Sequence, residues 1–181
     1  MIDLFLKGGF LMYPIALCSV SGLAIFLSKA LELRAVTRDM SNSPETMLHA
    51  PPPILTPLVQ ALADGVEEAE LSMIGTRQVR LMERGLSWLE LIVAVAPLLG
   101  LTGTVTGMIQ AFMVIGASTT AVSPALLAGG VWEALLTTAA GLLVAIPMHV
   151  GHHYLERRTD DLALRLKEIA THLYLRRRHG L

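Results

Sequence analysis

The long stretch between Glu90 and Glu156 contains a single Asp, Glu, Lys or Arg, which is Glu133. A segment that lies in lipid has to pair every backbone N–H and C=O internally, so a run of this kind predicts α-helices. A membrane barrel needs short segments of alternating polarity, and no such segments are present. The composition agrees, since 53% of the residues are hydrophobic and 16% are charged, against roughly 25% charged in soluble domains. The expected fold class is an all-α membrane protein.

Three apolar runs are long enough to span a bilayer, for which about 20 residues are needed. We expect transmembrane helices at residues 10–30, 86–115 and 129–153. The remaining segments are an N-terminus at 1–9, a loop with helical segments at 31–85, a short loop at 116–128, and a C-terminal helix with a basic tail at 154–181. The first run is too long for the apolar part of a signal peptide and no cleavage site follows it, which predicts a retained helix.

Basic residues predict the orientation of these spans. They lie after the first span, before the second and after the third, at Lys29, Arg34, Arg38, Arg77, Arg80, Arg84, Arg157, Arg158, Arg165 and Lys167. The opposite side offers only Lys7. The positive-inside rule then places the N-terminus and the 116–128 loop in the periplasm, and the 31–85 loop and the C-terminus in the cytoplasm, of a bacterial inner membrane. Four prolines between Ser41 and Pro53 predict a break in the cytoplasmic helix, which resumes beyond Pro57.

The second span has a face that is almost free of side chains. Gly100, Gly103 and Gly107 follow at intervals of three and four residues, and such stripes let helix backbones approach closely in lipid. Thr104 lies on the same stripe, and we interpret it as a functional hydroxyl. Thr102 and Thr106 point roughly opposite, so we expect them to bond carbonyls of their own helix.

The third span has a second small and polar stripe, formed by Thr138, Gly141 and Ala145. We expect both stripes to face neighbouring helices and to produce a homo-oligomer. Glu133 is open to two interpretations. A carboxylate inside a membrane is a functional candidate, but a position in the first turn of the helix, as expected here, would also favour it through the helix dipole and access to water.

Other functions have little support in the sequence. His149, His152 and His153 have no carboxylate or thiolate expected nearby, so they predict interfacial histidines and neither a metal site nor a cofactor. The net charge of −1 gives no indication of a nucleic-acid partner. The cluster of Arg176, Arg177 and Arg178 indicates a solvated tail or contact with membrane lipid. The spans contain no paired carboxylates and no Ser–His pair, so we expect no enzyme.

Several motifs occur in a specific order along the chain. They are Gly8-Gly9 through Met12-Tyr13-Pro14, Glu83-Arg84-Gly85-Leu86, the run from Ala96 to Val105, the run from Glu133 to Leu142, and Ala145-Ile146-Pro147. Together they resemble the ExbB/TolQ branch of the MotA/TolQ/ExbB proton channel family. Two features depart from that pattern: the cytoplasmic loop is short, and Met148 and His149 follow Pro147 where small apolar residues are expected.

The resemblance implies a ring, usually a pentamer, that encloses the single-span helices of an ExbD/TolR-like partner. The partner is expected to bring the aspartate that binds and releases protons, and a TonB/TolA-like protein is expected to receive the energy. The ring positions that match the family's pore threonines are Thr104 and Thr138, and the family's third-span glutamate matches Glu133. The alternative is a structural membrane scaffold without ion conduction.

Overall fold

The computed structural model describes residues 8–39, 53–117 and 124–178. Within these ranges the chain forms five α-helices and no strand. They are α1 (Met12–Asp39), α2 (Thr56–Asp64), α3 (Glu68–Glu83), α4 (Leu86–Ala117) and α5 (Pro124–Arg178). The predicted all-α fold is therefore confirmed. The proline-rich segment from Ser41 to Pro52 and the loop residues 118–123 lie outside the described residues.

Three helical stretches are long and apolar enough to cross a membrane, within Met12–Arg38, Ala69–Gly116 and Ala128–His172. This agrees with the three predicted spans. The helices extend past the expected ends of the spans, because α1 continues to Asp39 and α5 continues without interruption to Arg178. Helix α5 also begins at Pro124, before the expected start of the third span at residue 129.

The chain divides into two compact units. The first unit contains the chain up to Phe26 together with Trp88–His152, and the second contains Leu27–Ser87 together with the chain from His153 onward. The first unit thus holds the most apolar parts of α1, α4 and α5. The second unit holds α2, α3 and the more polar ends of the long helices.

Small residues form much of the interior of the first unit. Ala96, Ala134 and Ala145 are buried, whereas large apolar side chains such as Phe112 and Leu143 are mostly exposed. Ile15, Leu89 and Ile92 are buried too, but many more of the large apolar side chains of this unit face outward, unlike those of a soluble core. In lipid, apolar side chains gain little by facing inward, and helices associate through close backbone packing instead. The exposed apolar surface therefore suits a bilayer or neighbouring helices.

The second unit has a conventional leucine core. Leu155, Thr159, Leu162 and Leu166 recur along α5 at intervals of three and four residues and are all buried, which is the pattern of an amphipathic helix facing a core. Their burial is matched in α2 and α3 by leucines that include Leu58, Leu62 and Leu71. Helix α2 ends at Gly65, whose φ of 85° places it in the left-handed region that glycine adopts without strain.

The junction between α3 and α4 depends on a second left-handed glycine. Gly85 has a φ of 99°, and a Cβ added there would lie 3.4 Å from the Cε atom of Lys29. Lys29 is buried and donates a hydrogen bond of 2.8 Å to the Glu32 carboxylate. The ion pair compensates the burial of the ammonium group. Lys29 thus has a structural role besides the topological one suggested by its charge.

Candidate transmembrane site

Helices α4 and α5 approach each other so closely that side chains have no room at several positions. A Cβ added to Gly141 would lie 2.6 Å from the backbone oxygen of Ala96, and one added to Gly100 would lie 3.0 Å from the backbone oxygen of Thr137. A Cβ added to Gly107 would lie 2.9 Å from the Cβ atom of Ala134. Ala145 continues this buried line toward the end of the first unit. The glycines permit contact between the two backbones.

The two small-residue stripes therefore meet each other within one chain. From the sequence, these stripes are expected to face neighbouring helices and to join copies of the protein. The structure provides neighbours for Gly100, Gly103, Gly107 and Gly141 inside a single copy. The stripes consequently account for the packing of α4 on α5 and do not by themselves indicate an oligomer.

Thr138 links the two helices through its side chain. Its hydroxyl donates a hydrogen bond of 2.8 Å to the backbone oxygen of Gly100. The neighbouring Thr104 is half-buried on α4, and its hydroxyl donates over 2.7 Å to the backbone oxygen of Leu101 in its own helix. The hydroxyl protons of both threonines are thus engaged within the chain. Each hydroxyl oxygen retains lone pairs that can accept a further hydrogen bond.

Thr102 and Thr106 bond their own helix, as predicted. Thr102 donates to the backbone oxygen of Leu98 over 2.8 Å, and Thr106 donates to that of Thr102 over 2.9 Å. Thr104 makes the same kind of bond, so this contact does not distinguish it from Thr102 and Thr106. A threonine hydroxyl can reach a carbonyl three or four residues back from any face of a helix, so its position on the stripe does not release it from that bond.

Thr137 is a buried hydroxyl that is not among the site residues predicted from the sequence. It is 2% exposed and donates over 2.7 Å to the backbone oxygen of Ala134. Its side chain fills the space beside Gly103, where an added Cβ would lie 2.6 Å from the Cβ atom of Thr137 and closer still to its Oγ1 atom. The sequence spacing could have identified Thr137, because Glu133, Thr137 and Gly141 follow one another at intervals of four residues and so share one face of the helix.

Glu133 does not lie in the first turn of its helix, because α5 begins at Pro124. The expected stabilisation by the N-terminal helix dipole, which acts within the first turn, is therefore not available to it. Its Oε1 atom instead lies against Gly9, at a position that a Cβ on Gly9 would occupy. Gly9 has a φ of 68°, and both this conformation and the carboxylate contact favour glycine there.

A cavity of about 300 Å³ adjoins Glu133. Its polar lining comes from Thr102, Thr106 and Gln110 of α4 and from Glu133 and Thr137 of α5, and Gly8–Leu11 complete its wall. Thr104 and Thr138 are not among the lining residues. The structure therefore separates the predicted site residues into two groups, with Glu133 at the cavity and the two threonines outside it.

The histidines do not assemble a metal site within the part of the chain that the structure describes. In the described ranges, no group of three His, Cys, Asp or Glu side chains is arranged to hold a metal ion. The Nδ1 atom of His153 lies 3.5 Å from the Glu156 carboxylate, and both side chains are more than half exposed. A carboxylate is thus near His153, contrary to the sequence expectation, but the pair is solvated.

The long apolar helices, the glycine-mediated packing of α4 on α5 and the outward-facing apolar side chains define a polytopic α-helical membrane protein. Within that class the chain belongs to the MotA/TolQ/ExbB proton channel family, whose pattern it matches over residues 52–168. This match includes α2, α3, α4 and most of α5.

Several curated relatives carry the name of biopolymer transport protein. An ExbB-like protein of Synechocystis is 36% identical over 170 residues, which cover 81% of this chain and 66% of the relative. The exbB1 protein of Vibrio cholerae is 41% identical over 91 residues, covering 50% of this chain and 40% of the relative. ExbB of Neisseria gonorrhoeae is 42% identical over 98 residues, covering 54% and 44% respectively. The chain thus spans less than two thirds of the length of each of these relatives.

Proposed function

We propose that this chain is the ring-forming subunit of a motor driven by the proton-motive force in a bacterial inner membrane. Copies of the chain enclose a single-span partner of the ExbD/TolR type, conduct protons with it, and transmit energy to a TonB/TolA-like protein for outer-membrane transport or envelope maintenance. The family membership and the names of the relatives support this proposal. The N-terminus lies in the periplasm and the C-terminus in the cytoplasm, as the basic residues indicate.

The observation that favours proton coupling is that the hydroxyls of Thr104 and Thr138 both donate to backbone oxygens of the chain. Both use their protons within the chain and keep oxygen lone pairs available. A protonated carboxyl group on the partner can donate to such an oxygen without disturbing the ring. A carboxylate has no proton to donate and needs a donor, so a hydroxyl has to leave its carbonyl to bind it.

Protonation or deprotonation of the partner's carboxyl group therefore changes which hydrogen bonds it can make with the threonine hydroxyls of the ring. Interhelical hydrogen bonds in membranes contribute about 0.6 kcal/mol on average and up to about 2 kcal/mol. A proton crossing the membrane releases about 2.3 kcal/mol per 100 mV. The energy of one proton is therefore sufficient to exchange one such bond and to bias movement of the partner within the ring.

The test replaces the hydroxyls while preserving side-chain shape. We expect Thr104→Val and Thr138→Val to abolish growth that depends on the energised envelope process, while each variant still reaches the membrane and co-purifies with the partner. Serine at either position should retain part of the activity, because it keeps the hydroxyl and loses only a methyl group. Full activity in both valine variants would contradict the proposal and favour the structural scaffold.

Control variants for this test come from two hydroxyl residues of α1. Ser21 donates over 2.6 Å to the backbone oxygen of Leu17, and Thr37 donates over 2.7 Å to that of Leu33. Ser21→Ala and Thr37→Val remove the same kind of helix-internal bond as Thr104→Val, and we expect them to leave activity unchanged. Thr102 and Thr106 are unsuitable as controls because they line the cavity at Glu133.

A further inference from the structure

The exposed apolar side chains of the second unit need a different explanation from those of the first. The segments that form this unit are expected in the cytoplasm, where lipid does not cover an apolar surface. Met73 and Leu81 of α3 are 73% and 47% exposed, and Leu164 and Leu175 of α5 are 63% and 46% exposed. Clustered apolar surface in contact with water marks an interaction site more often than it occurs by chance. The second unit therefore presents surface that suits a protein partner.

One face of α3 combines this apolar surface with positive charge. Together with the residue that follows the helix, the exposed side chains of this basic face are Met73, Arg77, Arg80, Leu81 and Arg84. They recur at intervals of three and four residues, which places them on one side of a helix. Within the described ranges, the three arginines form no ion pair with a carboxylate. An acidic surface would complement this face.

One face of α5 combines apolar surface with negative charge. The exposed side chains of this acidic face are Asp160, Asp161, Leu164, Glu168 and Leu175. Arg157 shares this side of the helix, so three carboxylates stand against one guanidinium group. In the part of the chain that the structure describes, none of the three carboxylates is paired with a basic side chain. The charges of the two faces are therefore complementary but are not neutralised by each other within one copy.

A groove of about 610 Å³ lies between α3 and α5 within this unit. Small residues form part of its walls, with Ser72 and Gly75 from α3 and Ala163 from α5. A Cβ added to Gly75 would meet nothing within 4 Å. Asp160 and Leu164 also line the groove, so the acidic face of α5 is continuous with it. A groove with an apolar and acidic edge suits a helix that carries apolar and basic side chains.

We propose that the basic face of α3 in one copy of the chain packs on the acidic face of α5 in the next copy, with Met73 and Leu81 entering the groove beside it. This proposal rests on the proposed ring and names the surface through which its subunits join. The two faces are different surfaces, so the contact is head-to-tail and leaves one face of each kind free until a ring closes. The glycine stripes of α4 and α5 are already used inside each copy and do not compete with this contact.

The position of the charges along the chain agrees with such a contact. Arg80 precedes the start of α4 by six residues, and Asp161 follows the expected end of the third span at residue 153 by eight. At 1.5 Å per residue, these residues lie at most about 9 and 12 Å from the expected membrane boundary. Copies that share one membrane therefore hold Arg80 and Asp161 at similar distances from it.

Cross-linking between copies tests the contact in native membranes. Arg80→Cys and Asp161→Cys are made in two separately tagged full-length chains, each in a Cys18→Ser background, and the chains are co-expressed. A short bis-methanethiosulfonate linker is used, because a disulfide joins only cysteines whose Cα atoms lie within about 7 Å. We expect a covalent dimer that contains both tags. A single chain that carries both cysteines should give a series of larger products, since every copy then joins two neighbours.

Arg34 of α1 provides the matched control, because it is an exposed arginine of the same unit that belongs to neither face. Arg34→Cys paired with Asp161→Cys should give no dimer with both tags. Absence of this dimer for Arg80→Cys with Asp161→Cys would mean that another protein or the membrane covers these faces, and would overturn the proposal. A double-cysteine chain that is linked only within itself would overturn it as well.

Charge reversal tests the pairing of the two faces. Like charges across an interface oppose association, so we expect the Arg80→Glu oligomer in detergent to dissociate at a roughly tenfold higher protein concentration than the wild type. Asp161→Arg in the same chain should restore the wild-type value, and Arg34→Glu should not change it. If Arg80→Glu behaves like Arg34→Glu, or if Asp161→Arg gives no recovery, then the two faces do not meet.

Assembly is measured here without energy transduction, so this proposal and the proposed motor function can fail separately. If the mixed dimer forms while Thr104→Val and Thr138→Val keep full activity, the motor function fails and the interface stands. If the mixed dimer is absent while both valine variants lose activity, the interface fails and the motor function stands.

Discussion

Gly141→Ala tests the contact between α4 and α5 most directly. The added Cβ would lie 2.6 Å from the backbone oxygen of Ala96 and 3.2 Å from the Cα atom of Gly100. Both of these are backbone atoms, so no side-chain rotation relieves the overlap. Ordinary contacts between non-bonded atoms lie near 3.5 Å. The two helices therefore have to separate locally by on the order of 1 Å to accept a single methyl group.

Two losses and one gain determine the expected effect on stability. Overpacking of this kind costs about 1–3 kcal/mol. The separation also stretches the bond from Thr138 to Gly100, now 2.8 Å, which is worth about 0.6–2 kcal/mol in a membrane. Alanine returns about 1 kcal/mol through its higher helix propensity. The net free energy of unfolding should fall by about 1–4 kcal/mol, and the melting temperature should fall by several degrees.

Thermal unfolding of the purified protein in detergent measures this difference. Gly129→Ala in the same helix is the control, because an added Cβ there meets nothing within 4 Å. Its melting temperature should be unchanged or slightly raised. If Gly141→Ala unfolds at the same temperature as Gly129→Ala, then α4 and α5 do not pack as closely at Gly141 as the structure indicates.

Two further predictions concern packing and topology. Gly103→Ala should destabilise the protein because its Cβ collides with Thr137. In a double-mutant cycle, Thr137→Ala should recover part of that loss of stability, and strictly additive losses would contradict the contact. In a Cys18→Ser background, Ser118→Cys should react with a periplasm-restricted thiol reagent in intact cells while Glu68→Cys should not, and the opposite labelling would refute the N-out topology.

The all-helical fold with three spans could be predicted because the cost of unpaired backbone in lipid leaves so few alternatives. The start of α5 was less well predicted, since apolar residues precede and follow the expected position alike. Pro124 was the available signal, because proline is favoured at the first position of a helix. The expected loop at 116–128 includes this proline, and the expected helix start at residue 129 misplaces Glu133 relative to the helix N-terminus.

The spacing of Gly100, Gly103 and Gly107 predicted a face for close packing but could not identify what packs there. A small-residue stripe suits a helix of the same chain and a helix of another copy equally well. Thr137 was missed for a related reason. The predicted stripe on α5 contains Thr138, Gly141 and Ala145 but not Thr137. In the structure, both Thr137 and Thr138 contact α4.

The two candidate pore threonines differ in what else their hydroxyls do. Thr138 joins α5 to α4, whereas the bond of Thr104 remains inside α4. Thr138→Val therefore removes an interhelical bond and should lower stability by about 0.6–2 kcal/mol. Thr104→Val removes a bond back to its own helix, which adds little stability or slightly weakens a helix. If both variants lose transduction to the same extent while only Thr138→Val loses stability, then the loss of function follows the hydroxyl oxygens and not the packing of the helices.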